Sequence, residues 1–136
     1  MATRKTWTDK LHQAKESKIK RIDTDFADIP AGSSMFIATP QLIDSYVKQL
    51  PKGTHVNIRT LRKDLALQHG ADYTCPVTTG IFLRIVAEAA WEKLQQGTPA
   101  ANVTPFWRVI EPDSLMAKKL SFGQDFLKKQ IRSEAR

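Results

Sequence analysis

Helix punctuation constrains this chain more tightly than any other feature of its sequence. Thr39-Pro40 opens a helix, because proline suits the first turn and threonine can cap it. Leu42, Ile43, Tyr46, Val47 and Leu50 then recur at helical spacing until Pro51-Lys52-Gly53 stops the run. After a short extended His55-Val56, Asn57 or Thr60 opens a second helix. Its candidate buried positions are Leu61, Leu65 and Leu67, and Gly70 ends it. A loop containing Cys75-Pro76 follows. A third helix is predicted to start near Thr78 or Thr79 and run to Gly97, burying some of Phe82, Ile85, Val86, Ala89 and Leu94. Within 136 residues, such a helical centre leaves room for one core.

The flanks carry weaker signals. Trp7 to Lys15 reads as a short helix capped by Thr6 or Thr8, with Trp7, Leu11 and Ala14 on one side. Residues 18–28 have no firm period, with Ile19, Ile22 and Phe26 the positions that could lie along the body. Pro30-Ala31-Gly32-Ser33-Ser34 reads as a linker or turn and Met35-Phe36-Ile37-Ala38 as an edge strand. Residues 105–110 are predicted as a strand or extended segment closed by Glu111-Pro112-Asp113. Ser121-Phe122-Gly123-Gln124 fits a capping box ahead of a last helix bearing Phe126, Leu127 and Ile131. The expected class is α+β. Residues 1–32 are read as a basic N-terminal helix and arm, and 33–136 as the main domain.

The formal charge of +7 is unevenly spread. Residues 1–24 hold seven Lys/Arg against three Asp/Glu, and 114–136 hold six against two. The middle, 25–113, holds eight against nine. The basic ends are either arms that grip a polyanion through counterion release or solvated helix faces. A single cysteine, Cys75, excludes an internal disulfide and any multi-cysteine metal site. His12, His55 and His69 have no metal-ligand spacing, so neither metal nor cofactor is expected. No apolar run is long enough for a membrane span. The N-terminus lacks the apolar stretch of a signal peptide, and the expected location is cytoplasmic, nucleoid-associated or nuclear where DNA is bound.

Several stretches, in order, resemble the O6-alkylguanine-DNA alkyltransferases over about residues 39–136. Helix, Pro51-Lys52-Gly53 turn, short strand and helix follow the order that precedes that family's DNA-reading helix. Val77-Thr78-Thr79-Gly80 stands where the family has Arg-Ala-Val-Gly, and Pro105-Phe106-Trp107-Arg108-Val109 where it has Pro-Cys-His-Arg-Val. Ser121 and Gly123 are similar to its Tyr-Ser-Gly-Gly loop, and Glu134 falls at its catalytic-network glutamate. Phe106 replaces the acceptor cysteine and Trp107 the activating histidine, so the pair that makes a thiolate is missing. Val77 replaces the arginine that fills the gap left by a flipped base, and the family's recognition tyrosine is replaced near Asn57-Ile58. The chain is thus most similar to non-catalytic alkyltransferase-like proteins. The resemblance implies a winged-helix-like domain, extended here by terminal helices, that binds double-stranded DNA in damage recognition or repair signalling.

On this reading Thr78, Thr79 and Gly80 meet a phosphate at a helix N-terminus. Arg59, Arg62, Lys63 and Arg84 flank the groove, or are plain surface charges. Arg108 holds a phosphate or an internal carboxylate, and Lys128 and Lys129 supply further contacts or only a wet helix face. Phe106, Trp107 and Ser121 line a candidate base pocket, the alternative being that the rings are core. Two competing readings are a protein-interaction or regulatory module, for a repair or regulatory partner, on the same scaffold without DNA contact, and an enzyme using Cys75 as nucleophile.

Overall fold

Three of these helices form where punctuation predicts in the computed structural model, which describes residues 6–13 and 15–135. Helix α1 covers Trp7–His12, α2 Pro40–Lys48, α3 Ile58–His69, α4 Pro76–Gln95, α5 Leu115–Lys119 and α6 Asp125–Glu134. Strands β1 (Lys18–Arg21), β2 (Ser34–Ile37) and β3 (Tyr73–Thr74) complete an α+β arrangement. The Thr39 hydroxyl accepts from Leu42 N at 3.1 Å, and the Asn57 side chain accepts from Thr60 N at 2.8 Å. Gly70 ends α3 in the left-handed region, φ 73°, where a side chain would be strained.

Helix α4 starts two residues earlier than predicted. Pro76 takes the first helical position, its fixed φ already suited to it, and Cys75 before it stays non-helical without a side-chain cap bond. Thr78 and Thr79 therefore lie inside the first turn. Helix α1 stops at His12, short of the predicted Lys15, and predicted position Ala14 lies outside the described residues.

The sheet has the order β1-β2-β3. β1 and β2 run antiparallel with Lys18 opposite Ile37, and β2 and β3 run parallel with Phe36 opposite Thr74. Residues 35–38 are predicted as an edge strand, but the strand runs Ser34–Ile37 and is the central one. One edge is instead Lys18–Arg21, exposed along its length and carrying three cations. Of the residues expected along the body, Ile22 is buried while Ile19 and Phe26 are exposed.

Residues 105–110 are not a strand. Phe106–Arg108 form a 3-10 turn, in which Arg108 N bonds Pro105 O at 3.0 Å and Val109 N bonds Phe106 O at 3.1 Å. Phe106, Trp107, Val109 and Ile110 are all buried. Burial on every side satisfies so apolar a run without the alternation of a half-buried strand. The capping box at 121–124 does not form either. Gln124 donates to Pro112 O at 2.6 Å, and Ser121 turns toward Glu88 on α4.

Helix α4 is the spine. Around it the core gathers Phe36, Ile43, Val47, Leu61, Leu65, Leu83, Val86, Phe106, Ile110 and Leu127. Leu67, predicted as buried, is 70% exposed. Helix α1 is pinned to α4 by Glu92, whose carboxylate accepts from Trp7 N at 3.0 Å and Thr8 N at 2.8 Å. Among the described residues no helix is long and apolar enough to cross a membrane.

Candidate nucleic-acid interface

Helix α3, the left-handed Gly70, strand β3 and the start of α4 follow one another as one continuous segment. Arg62 locks it. Its Nε donates to Thr74 O at 3.0 Å, and Thr74 returns a hydroxyl bond to Arg62 O at 2.7 Å. The rest of the Arg62 guanidinium forks onto Asp28, both bonds 2.8 Å, and this bonding holds the exposed Asp28 carboxyl below the usual carboxylate range. Arg62, one of the predicted groove cations, is thereby spent within the protein. Arg59 and Lys63 are exposed and form no ion pair among the described residues. With Tyr73 they line an open cleft of about 770 Å³ beside β3.

The first turns of α4 differ from the predicted contact set. Thr79 is fully buried and its hydroxyl bonds Cys75 O at 2.6 Å, so it cannot meet a phosphate. Gly80 lies under α5, where an added Cβ would be 3.6 Å from the Met116 methyl. Arg84 stacks on Trp7, its guanidinium carbon 5.3 Å from the ring centre, with Nε 3.6 Å from Glu88. Thr78 keeps a hydroxyl with no hydrogen-bond partner among the described residues. The side chains most open to solvent here are Val77 and Ile81, 53% and 54% exposed.

The predicted base pocket is filled by its own rings. Phe106 has no exposed surface and packs against Trp107, Phe122 and Phe126 with ring centres 5.3, 5.4 and 5.8 Å away. Trp107 is buried and donates from Nε1 to Glu134 at 2.7 Å. Arg108 also engages Glu134, at 2.7 Å through one terminal nitrogen, and donates to Leu50 O at 2.7 Å, so it holds an internal carboxylate rather than a phosphate. Burial pushes the Glu134 carboxyl up, but hydrogen bonds from Arg108, Trp107 and Gly53 N outweigh this and bring it down to about 2. Ser121 is bound through N and hydroxyl to the buried Glu88. Both rings and Ser121 are structural, because the 3-10 turn sends Phe106 and Trp107 inward together. Trp107 and Arg108 border an open cleft of about 480 Å³ together with Lys52, Val103, Pro105 and Glu134, which neither Phe106 nor Ser121 lines.

Cys75 is buried, and its amide bonds Phe36 O at 2.9 Å. Among the described residues no group of three or more His, Cys, Asp or Glu is placed to hold a metal. Lys128 and Lys129 stand exposed on α6, whose other side buries Leu127.

No family model, no curated protein and no solved structure matches this chain.

Sequence reasoning missed the two acids that organise α4. Glu88 ties down the Ser121 loop and Glu92 caps α1. A signal existed for Glu88, a lone acid within the apolar run Ile85 to Ala90. Such a buried charge must find partners. The exposed Ile81, one turn after Val77, also went unremarked, although two β-branched residues so spaced ahead of the buried run were visible.

Proposed function

We propose that this chain is a non-enzymatic double-stranded DNA-binding protein with a winged-helix-like, alkyltransferase-like architecture. The observation that carries the reading is the α3–β3 cleft, where Arg59 and Lys63, in no ion pair among the described residues, stand one turn apart on α3 beside Tyr73 and Thr74, with Asp28 and Asp72 on the same wall. Cations placed so can track a phosphate backbone while α4, the next helix, enters a groove. At the position similar to the family's acceptor, Phe106, Trp107, Arg108 and Glu134 serve packing and an ion pair. With Phe106 in that place there is no thiol to accept an alkyl group.

Fluorescence anisotropy on a labelled 20-base-pair duplex between 50 and 200 mM salt tests this reading. Binding should weaken steeply with salt, and Arg59→Ala with Lys63→Ala should lower the log–log slope by about 1.8, roughly 0.9 for each lost phosphate contact. A duplex carrying one O6-methylguanine should bind no tighter and leave the protein mass unchanged. No binding at 50 mM salt would overturn the proposal. It would favour the second reading, a protein-interaction module, for which the exposed Leu67 and Leu115 speak.

A further inference from the structure

The sheet ends in two edges of different kinds. At β3 the edge is closed by α3, with Arg62 Nε on Thr74 O at 3.0 Å. At β1 it is open, all four residues being exposed. The register decides which backbone groups face outward there. Ile22 N bonds Ser33 O at 3.1 Å and Ile22 O accepts from Gly32 N at 2.8 Å, so Ile22 turns its backbone toward β2. Lys20 and Lys18, two and four residues back, do the same opposite Met35 and Ile37. The far side of β2 agrees, since Phe36 O accepts from Cys75 N at 2.9 Å and so faces β3. Ile19 and Arg21 therefore point their N–H and C=O groups away from the sheet. No hydrogen bond among the described residues reaches those groups.

The side chains add charge and one apolar position. Lys18 and Lys20 share a face of β1 and are in no ion pair among the described residues. Ile19, on the other face between them, is 49% exposed. Arg21 donates to Gly32 O, and Asp72 is bonded to Ser34 N across the strand pair from it. A second copy of the chain does not suit this edge. A two-fold antiparallel pair that joins the outward groups of two β1 strands must centre on one of its four residues. Centred on Lys18, Ile19, Lys20 or Arg21, it sets Lys18 on Lys18, Lys18 on Lys20, Lys20 on Lys20 or Arg21 on Arg21. Like charges directly opposite one another destabilise a strand pair. Duplex DNA suits the edge no better, because a phosphate backbone has no donors for outward carbonyls and no apolar group for Ile19. A strand with acids opposite Lys18 and Lys20 and an apolar residue opposite Ile19 satisfies backbone, charge and side chain together. We infer that β1 takes up an extended acidic segment of a partner protein as a fourth, antiparallel strand. This goes beyond the DNA-binding reading and does not rest on it.

The probe is a capped peptide, Thr-Glu-Val-Glu-Thr, titrated to millimolar concentration into the full chain without DNA and followed by amide NMR. Slowed hydrogen exchange is expected at the Ile19 and Arg21 amides and not at Lys18 and Lys20, which already bond β2. Two controls separate strand addition from charge attraction. Methylating the peptide's valine nitrogen leaves every charge in place and should weaken binding about tenfold, the effect of one backbone hydrogen bond. Lys18→Glu with Lys20→Glu should abolish binding of the acidic peptide and confer binding of Thr-Lys-Val-Lys-Thr, the fold being kept because both side chains are exposed. Equal affinity for the methylated peptide overturns strand addition and leaves only a basic patch. No change at β1 with the acidic peptide overturns the inference, whether or not the protein binds DNA. A concentration-dependent dimer in sedimentation velocity, with exchange slowed at Ile19 and Arg21 by concentration alone, would give the edge to a second copy and overturn it as well.

Discussion

Glu134 gathers a tryptophan N–H, an arginine and the Gly53 amide at one carboxylate, far apart in sequence and close in the fold. The Arg108 and Glu134 side chains are only 14% and 10% exposed, so each depends on the other's charge. Glu134→Gln keeps an acceptor for Trp107 but leaves Arg108 without its counter-charge, and should cost about 3 kcal/mol in thermal or urea unfolding. The pH dependence follows from the lowered carboxyl, about 2 in the folded state against 4.5 ordinarily. A depressed carboxyl stabilises the fold fully above the ordinary value, and the stabilisation is lost as pH falls from 4.5 through 2. Wild-type melting temperature, followed by circular dichroism from pH 7 to 2, should therefore drop in that window. In Glu134→Gln that limb should be shallower. An unchanged acid limb in the variant would remove Glu134 as its source.

Between elements, the joint of α1 to α4 is the one most open to a single substitution. Glu92 supplies acceptors to the first amides of α1, where a helix end has none of its own, and Thr8 adds a hydroxyl bond at 2.9 Å. Burial raises the Glu92 carboxyl, but these bonds lower it further, so the joint favours the charged form. Glu92→Ala should cost about 1–2 kcal/mol. It should also speed hydrogen exchange at the α1 amides and shift Trp7 emission to the red, with α2 and α3 unaltered. Wild-type protection of α1 in the variant would mean that Leu11 and Trp7 packing alone hold it. The helices themselves were legible in the sequence because their signals are local. Thr39, Asn57 and Gly70 act within four residues of where they stand. What was not legible depends on residues distant in sequence. Nothing within 105–110 tells a buried turn from a strand, since that is decided by Phe122, Phe126 and Glu134 closing around it. Ser34–Ile37 became central only because a basic segment, Lys18–Arg21, covered its free edge. The candidate interface was half legible. Arg59 and Lys63 are where a surface reading puts them, whereas Arg62, Arg84 and Arg108 are each taken up by an internal partner.

Across the whole molecule, the basic residues fall into separate regions, and only some can share a contact with the α3–α4 end. Phe126 of α6 packs on Trp91, ring centres 5.2 Å apart, in the far half of α4. Fourteen residues of helix separate Trp91 from Val77, roughly 21 Å at 1.5 Å per residue. That distance is about twice the Debye length at 0.1 M salt, so exposed charges on α6 are largely screened from a phosphate held at the start of α4. If α4 meets the duplex by its first two turns, Lys128, Lys129 and Arg132 stand back from it and act as a solvated face. Replacing all three by alanine should then leave the salt slope of DNA binding unchanged within about 0.9, one phosphate contact, while the Arg59 and Lys63 pair removes about 1.8. Both variants keep the core intact, because all five side chains are exposed. The measurement is the same anisotropy titration between 50 and 200 mM salt, run on the two variants in parallel. A loss of about 2.7 from the α6 variant would mean that the duplex lies along α6, and the end-on approach of α4 would have to be given up.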